Sequence, residues 1–301
     1  MARWEFALNT HPKPRIAILN AMAHADFGQS LDFQKSWGIE DLDLKDSIFG
    51  KSIIDLTDNE AQHVAAMVQM RGLRTYCLST GLFHDDPLKG AAAFKADNLA
   101  KIPRIIEIAK ILTPRFIRLL PAKVIDRRNI IDSIAWARTN FGWLFDHYQQ
   151  AIASVHAAGF EATIENEVYG CLFGNPEEVL AFYDFLGRAC PASFTWDIQN
   201  MWQSGCYPSL DTYRRLKGLI KYVHVKGGIQ NAKTRELEWA SVLEDATWPV
   251  LDIMREVIRD GVSPVICINP SHGKRAADFD ALAATRQDIV FVSTIVTRGR
   301  S

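Results

Sequence analysis

Four short segments in the second half of the chain each end on a side chain that can hold a metal or move a proton. EATIENEVYG carries Glu165, with Glu167 two residues on, and SFTWDIQNMW carries Asp197, with Asn200 three residues later. YVHVKGG puts His224 and Lys226 on one face of a strand, because side chains two apart share a face. PVICINPSHG brings Asn269 to a strand end and His272 into the loop beyond. Taken singly, each has an ordinary structural role: a strand-terminal Asp caps a helix, and a lone His in an apolar run is a hydrogen-bonded core residue. Taken together, Glu165, Asp197, His224 and Asn269 offer three oxygen donors and one imidazole, a ligand set for Mn²⁺, Mg²⁺, Co²⁺ or Zn²⁺. They can meet only if the segments that carry them are neighbouring strands of one barrel.

The rest of the chain predicts such a barrel. Short apolar runs over 15–20, 41–44, 74–78, 116–120, 161–164, 193–196, 222–225 and 265–268 read as buried strands. Amphipathic stretches over 58–70, 94–112, 130–158, 176–188 and 250–259 read as helices between them. Thr57-Asp58-Asn59-Glu60 has the form of a capping box, and Gly72, Gly159 and Gly261 stand where a left-handed helix end is wanted. Eight strand–helix units in 301 residues predict an α/β protein made of a single (β/α)₈ TIM barrel spanning 1–301. A doubly wound sheet would carry a glycine fingerprint after its first strand, where Asn20-Ala21-Met22-Ala23-His24-Ala25 stands instead. In a barrel, reactive groups gather where strands end and the following loops begin.

Composition removes other classes. Lys plus Arg number 34 against 35 Asp plus Glu, a net charge of −1, so no field gathers a nucleic-acid backbone. The five cysteines form no CxxC pair, which argues against a zinc ribbon or a dithiol motif. Neither a signal peptide nor an apolar run of membrane-spanning length is visible, so a soluble cytoplasmic protein without a membrane partner is expected.

The motifs, in this order, resemble those of the xylose isomerase-like TIM barrels, the sugar phosphate isomerase/epimerase superfamily. Trp37-Gly38-Ile39-Glu40-Asp41-Leu42-Asp43-Leu44-Lys45 resembles the superfamily's second-strand signature, and IDLTDNEAQHVAAMVQMRGLRTYCLS the helix and strand after it. IEN at Glu165, WDIQN at Asp197 and HVKG at His224 are similar to its metal-site motifs. The resemblance implies one divalent metal ion, Mn²⁺ before Mg²⁺, Co²⁺ or Zn²⁺, held by Glu165, Asp197 and His224. The fourth position, ordinarily a glutamate, is Asn269 here. An amide can lend its carbonyl oxygen to a metal but cannot serve as a general base, which removes the two-carboxylate proton relay. Gly227-Gly228 stands where many relatives carry an acidic residue, and predicts an opened seventh loop with one partner fewer for Lys226. Asn200 replaces a histidine that some relatives use for additional metals, which argues against a nuclease.

The implied activity is isomerisation or epimerisation of a sugar or sugar-like keto/polyol substrate, by proton abstraction and a metal-stabilised enediolate. Glu165 is the first candidate base, with Glu167 and His272 behind it. Lys226 either steadies the developing oxyanion or forms a salt bridge inside the barrel. The alternative is a dehydratase or β-eliminating lyase on a keto-sugar or 3-keto-glycoside, which Asn269 favours because a lyase needs one base. A third reading is a non-catalytic sugar-binding barrel or complex subunit. Glu167, Asn200, Trp196, His24 and His84 are candidates for contact with a small carbohydrate substrate. The aromatic stretch 136–148 suits either a homo-oligomer interface or a helix packed on the barrel.

Overall fold

Each of the eight apolar runs forms a strand: β1 Arg15–Ile18, β2 Asp41–Leu44, β3 Arg74–Ser79, β4 Phe116–Leu119, β5 Glu161–Glu165, β6 Ala192–Asp197, β7 Ile220–Val225 and β8 Val265–Ile268. The structure is a computed structural model that describes residues 12–168, 170–187 and 190–298. The strands are parallel in the order β1-β8-β7-β6-β5-β4-β3-β2, and a bridge between Leu19 and Asp43 joins the two ends. At least one helix follows every strand, from Phe27–Ser36 after β1 to Ala281–Arg298 after β8. This is a (β/α)₈ TIM barrel.

Closure follows from the pattern of burial. Most of the strand residues are buried on both faces, the outer face under helices and the inner face inside the barrel. The inner face begins with an aromatic layer: the Tyr222 ring lies 5.1 Å from Tyr76 and 6.1 Å from Phe116. Further along, Thr163 and Thr195 share a 2.6 Å hydrogen bond, and beyond them the strands end in charged groups. The polar site therefore rests on a packed interior rather than a pore.

Local signals hold where they are strong. The capping box at Thr57 and Glu60 forms in both directions, and the helix it opens runs Asp58–Met70. Two long helical stretches divide. Asn98, whose Oδ1 accepts the Phe83 amide at 2.6 Å, ends the helix Ala91–Asp97 before a second one at Ile102–Leu112. Phe141 separates Ser133–Asn140 from Gly142–Ala157. There Trp136, Phe141 and Trp143 pack edge to face, and Trp143 meets Phe94, so this stretch packs helices onto the barrel. A two-stranded ribbon, Ile229–Gln230 with Leu237–Trp239, was not foreseen; it is inserted between β7 and the helix Val250–Asp260.

All five cysteines are free thiols, and Cys77, Cys171 and Cys267 are buried. No helix among the described residues is long and apolar enough to cross a membrane. The segment read for a signal peptide begins with residues 1–11, which lie outside the described residues.

Asp288 of the last helix gives the fold a pH dependence. Burial pushes its carboxyl up to about 7, against the Leu243 amide that donates to Oδ1 at 2.6 Å. The folded state thus prefers the protonated acid. That contribution to stability is complete below the unfolded carboxyl's pKa of 3.8 and is lost as pH climbs through about 7. Urea unfolding between pH 4.5 and 8 should show the loss, on the order of 2–4 kcal/mol. Asp288→Asn, which keeps an acceptor for Leu243, should flatten it; an unchanged pH slope in that variant rules Asp288 out as the cause.

Candidate active site at the barrel mouth

The site is built from inward-facing residues at the ends of adjacent strands. Two-residue periodicity turns Thr163 and Glu165 of β5, Thr195 and Asp197 of β6, and Tyr222 and His224 of β7 toward the axis. Glu165, Asp197 and His224 are buried, with one potential ligand atom from each within 4.8 Å of the others. His224 Nδ1 lies 3.0 Å from Glu165 Oε1 and 4.0 Å from Asp197 Oδ2. Asn269, just beyond β8, brings its side-chain amide to 2.9 Å from the same nitrogen. The ring nitrogen cannot both donate to Glu165 and accept from an amide N–H. A proton held between His224 and Glu165 therefore requires the carbonyl end of Asn269 to face the imidazole.

Two cations enter this cluster, and one was not apparent from the sequence. Arg118, buried on β4, places Nη1 2.5 Å from Glu165 Oε2 and donates through Nη2 to the Thr80 carbonyl at 2.9 Å. Asp43 of β2 was also missed: its Oδ2 accepts from the Tyr222 hydroxyl at 3.0 Å and lies 3.5 Å from His224 Nε2. Both were signalled by charged residues in apolar strands, FIRL and DLDL, at positions the period turns inward. Asn166 is the third. Its side-chain amide donates to the Asp197 carbonyl at 2.8 Å and accepts the Asp197 amide at 2.9 Å, which fixes the end of β6.

Lys226 forms the internal salt bridge. Its ammonium lies 2.7 Å from Asp197 Oδ2, 2.8 Å from Asn200 Oδ1 and 3.0 Å from His272 Nε2. Asn200 and His272 engage two of its three protons by hydrogen bonds, and the charge of Asp197 holds the ammonium beside the cluster. Lys226 is thus a positioning residue in this state. The glycine pair acts opposite to expectation. A Cβ on Gly227 would overlap the Ser241 carbonyl, and one on Gly228 would reach 2.7 Å from both Gln199 and Leu237. The two glycines let the seventh loop close over the site, and Lys226 has partners without an acidic neighbour.

Electrostatics follow from this packing. Burial opposes ionisation of Glu165, yet His224 and Arg118 beside it hold its carboxyl well below the usual range. Burial raises the Asp197 pKa against the pull of Lys226. Burial also works against a charged His224, but Glu165 and Asp43 on either side raise it to about 9. His272, desolvated beside Lys226, is lowered to about 3 and stays neutral, with its Nε2 occupied by Lys226. Glu165 has one oxygen toward His224 and the other toward Arg118. Glu167 is half-buried, and among the described residues only its Oε1 is engaged, by the Val168 amide at 2.8 Å and Asn200 Nδ2 at 3.4 Å.

The remaining candidates divide. His84 sits on the rim, Nδ1 3.1 Å from the Pro121 carbonyl, and feels the charge of Glu167. His24 instead makes a local turn: Nδ1 accepts the Asp26 amide at 2.9 Å and its ring lies 6.0 Å from Phe33. Trp196 does not reach the mouth. Next to inward Asp197 it must face outward, and it is fully buried with its ring stacked 6.0 Å from Tyr213 of the helix Leu210–Leu216.

No family model and no curated protein matches the sequence. Solved structures do match over nearly the whole chain. A xylose isomerase-like TIM barrel protein from Mycobacterium smegmatis, in complex with magnesium, is 12% identical with a TM-score of 0.70, covering 97% of this chain and 99% of that one. An L-ribulose 3-epimerase is 14% identical with a TM-score of 0.71, covering 95% and 96%. A probable 3-DHS dehydratase from Bacillus anthracis is 12% identical with a TM-score of 0.69, covering 93% and 98%. The chain has the fold of the xylose isomerase-like TIM barrels.

Proposed function

We propose that the chain is a divalent-metal-dependent enzyme that moves a proton beside the carbonyl of a small sugar or sugar-like keto/polyol substrate, as an isomerase or epimerase. The observation that carries this reading is the buried convergence of Glu165, Asp197 and His224 within 4.8 Å. Two carboxylates and an imidazole suit Mn²⁺, Mg²⁺, Co²⁺ or Zn²⁺, and the carbonyl of Asn269 supplies a fourth donor. Structural neighbours that bind magnesium, epimerise a sugar or dehydrate a substrate support the class. An ion held there acts as a Lewis acid on the substrate's carbonyl oxygen.

The protein's own groups have distinct tasks. Arg118 and Lys226 hold Glu165 and Asp197 in place from outside the cluster. Asn166 fixes Asp197 through its backbone. Glu167, with one oxygen uncommitted among the described residues, is the group able to take the proton. His84 lies on the rim beside it.

The test is solvent exchange. Protein loaded with Mn²⁺ is incubated in D₂O with ketopentoses, ketohexoses and 3-keto-glycosides, and loss of the carbon-bound proton is followed by NMR. Exchange that stops with chelator and returns with Mn²⁺ is expected; none across the panel would overturn the reading. Glu167→Gln should lower the exchange rate about 10²–10⁴-fold with metal content unchanged, whereas Glu165→Gln should lose metal as well. Equal rates in Glu167→Gln and the parent chain would return the base role to Glu165.

A second reading, a dehydratase or β-eliminating lyase, is favoured by the amide at Asn269 and by a neutral His272, which leave one available carboxylate base. Release of water or an aglycone, rather than deuterium in recovered sugar, identifies it.

A further inference from the structure

A cavity of about 240 Å³ lies between the loop after β1, the end of β8 and the start of the last helix. Leu19, Met22, Pro270, Phe279 and Ala284 form its apolar wall. Asn269 and Ser271 also line it, which joins it to the site: the Asn269 amide is 2.9 Å from His224 Nδ1, and Gln199 Nε2 donates to Ser271 Oγ at 3.2 Å. Asp288 lines it too. That side chain is more than nine-tenths buried, its Oδ1 takes the Leu243 amide, and its Oδ2 takes no hydrogen bond among the described residues.

These features select a ligand. A sugar ring would leave hydroxyls unpaired against Leu19, Met22 and Phe279, which disfavours it there. Ser241, Arg275 and Thr285 join Asn269, Ser271 and Asp288 on the polar side of the cavity, so the apolar wall takes the face of a ring and the polar side its substituent. An apolar cavity of about 150 Å³ is enough to hold benzene, so this one has room for a single substituted aromatic ring. The free oxygen of Asp288 is suited to share a hydrogen bond with one hydroxyl.

We propose that this cavity is a second subsite of the barrel mouth, taking a ring-sized apolar group that carries a hydroxyl, such as a phenolic aglycone attached to the carbohydrate. The link to a carbohydrate rests on the function proposed above; the cavity's preference for a ring does not.

The experiment measures binding of phenol, a phenyl glucoside with a free ring hydroxyl (4-hydroxyphenyl β-D-glucoside) and methyl β-D-glucoside to the full Mn²⁺-loaded chain by calorimetry. Phenol should bind, and the hydroxyphenyl glucoside should bind at least tenfold tighter than methyl glucoside. Ala284→Phe, which fills the cavity, should abolish phenol binding and remove that tenfold preference without changing methyl glucoside. Ala284→Leu is the milder variant if the first fails to fold. Equal binding of the two glucosides, absence of phenol binding, or a preference that survives both variants overturns the subsite. Phenol binding that Ala284→Phe abolishes, with neither glucoside bound, instead overturns the carbohydrate reading and leaves the ring site standing.

Discussion

Asp197→Asn should reduce the divalent metal content of the purified chain from close to one ion per molecule to a small fraction of that. Elemental analysis after dialysis against Mn²⁺, without chelator, measures it directly. The substitution keeps the volume of a side chain that is fully buried and still leaves an acceptor for the Asn200 amide, now 2.9 Å from Oδ1. What it removes is the negative charge that faces both the ligand cluster and Lys226. Loss of an outer-shell partner already costs about 10–100-fold in metal affinity, so loss of a ligand should cost at least about a hundredfold. Proton exchange should fall with it. A parent chain that takes up no metal from excess Mn²⁺ would remove the metal-dependent reading and promote a sugar-binding barrel without chemistry. Full metal retention in Asp197→Asn would place the ion elsewhere, with Asp43, His224 and Cys267 the other buried donor group among the described residues.

The largest loss of stability should come from Arg118→Met. Arg118 and Glu165 are each 2% exposed and form one buried ion pair. Desolvating such charges costs several kcal/mol apiece, and their mutual attraction offsets that only while both are present. Removing the arginine leaves Glu165 with His224 as its one hydrogen-bonding side chain among the described residues, and leaves the Thr80 carbonyl without its donor. Breaking a buried pair in this way costs about 3–5 kcal/mol. Denaturant unfolding of chelated protein checks the figure. The double variant Arg118→Met, Glu165→Met should recover most of the loss, because it removes the orphaned charge together with its partner. A single variant within 1 kcal/mol or so of the parent chain would mean that water reaches the pair. That would undo the assignment of Arg118 as the group that positions Glu165.

Much of this molecule is readable from local pattern alone. The strands Asp41–Leu44 and Val265–Ile268 and the helix Asp58–Met70 coincide with the apolar runs and the capping box that announce them. Glu165, Asp197 and His224 stand out because strand ends in a barrel share one face, a rule that needs no coordinates. The same alternation places Trp196, beside Asp197, on the outer face. The breaks at Asn98 and Phe141 are less visible. Asn98 is held by the Phe83 amide, a contact across 15 residues that helical periodicity does not report.

The sequence by itself determined the barrel, the strand on which each candidate ligand sits, and the amide Asn269 at the end of the eighth. These depend on spacing along the chain, which hydrophobic burial converts into strand, helix and inward or outward face. Only the tertiary structure decided the partners. Arg118 meets Glu165 across 47 residues and Tyr222 meets Asp43 across 179. Gly227 closes against Ser241 rather than opening a loop. Ring closure sets which inward groups face each other, and at distances under 4 Å in a water-poor interior that choice decides which charges are held and which carboxylate remains free to react.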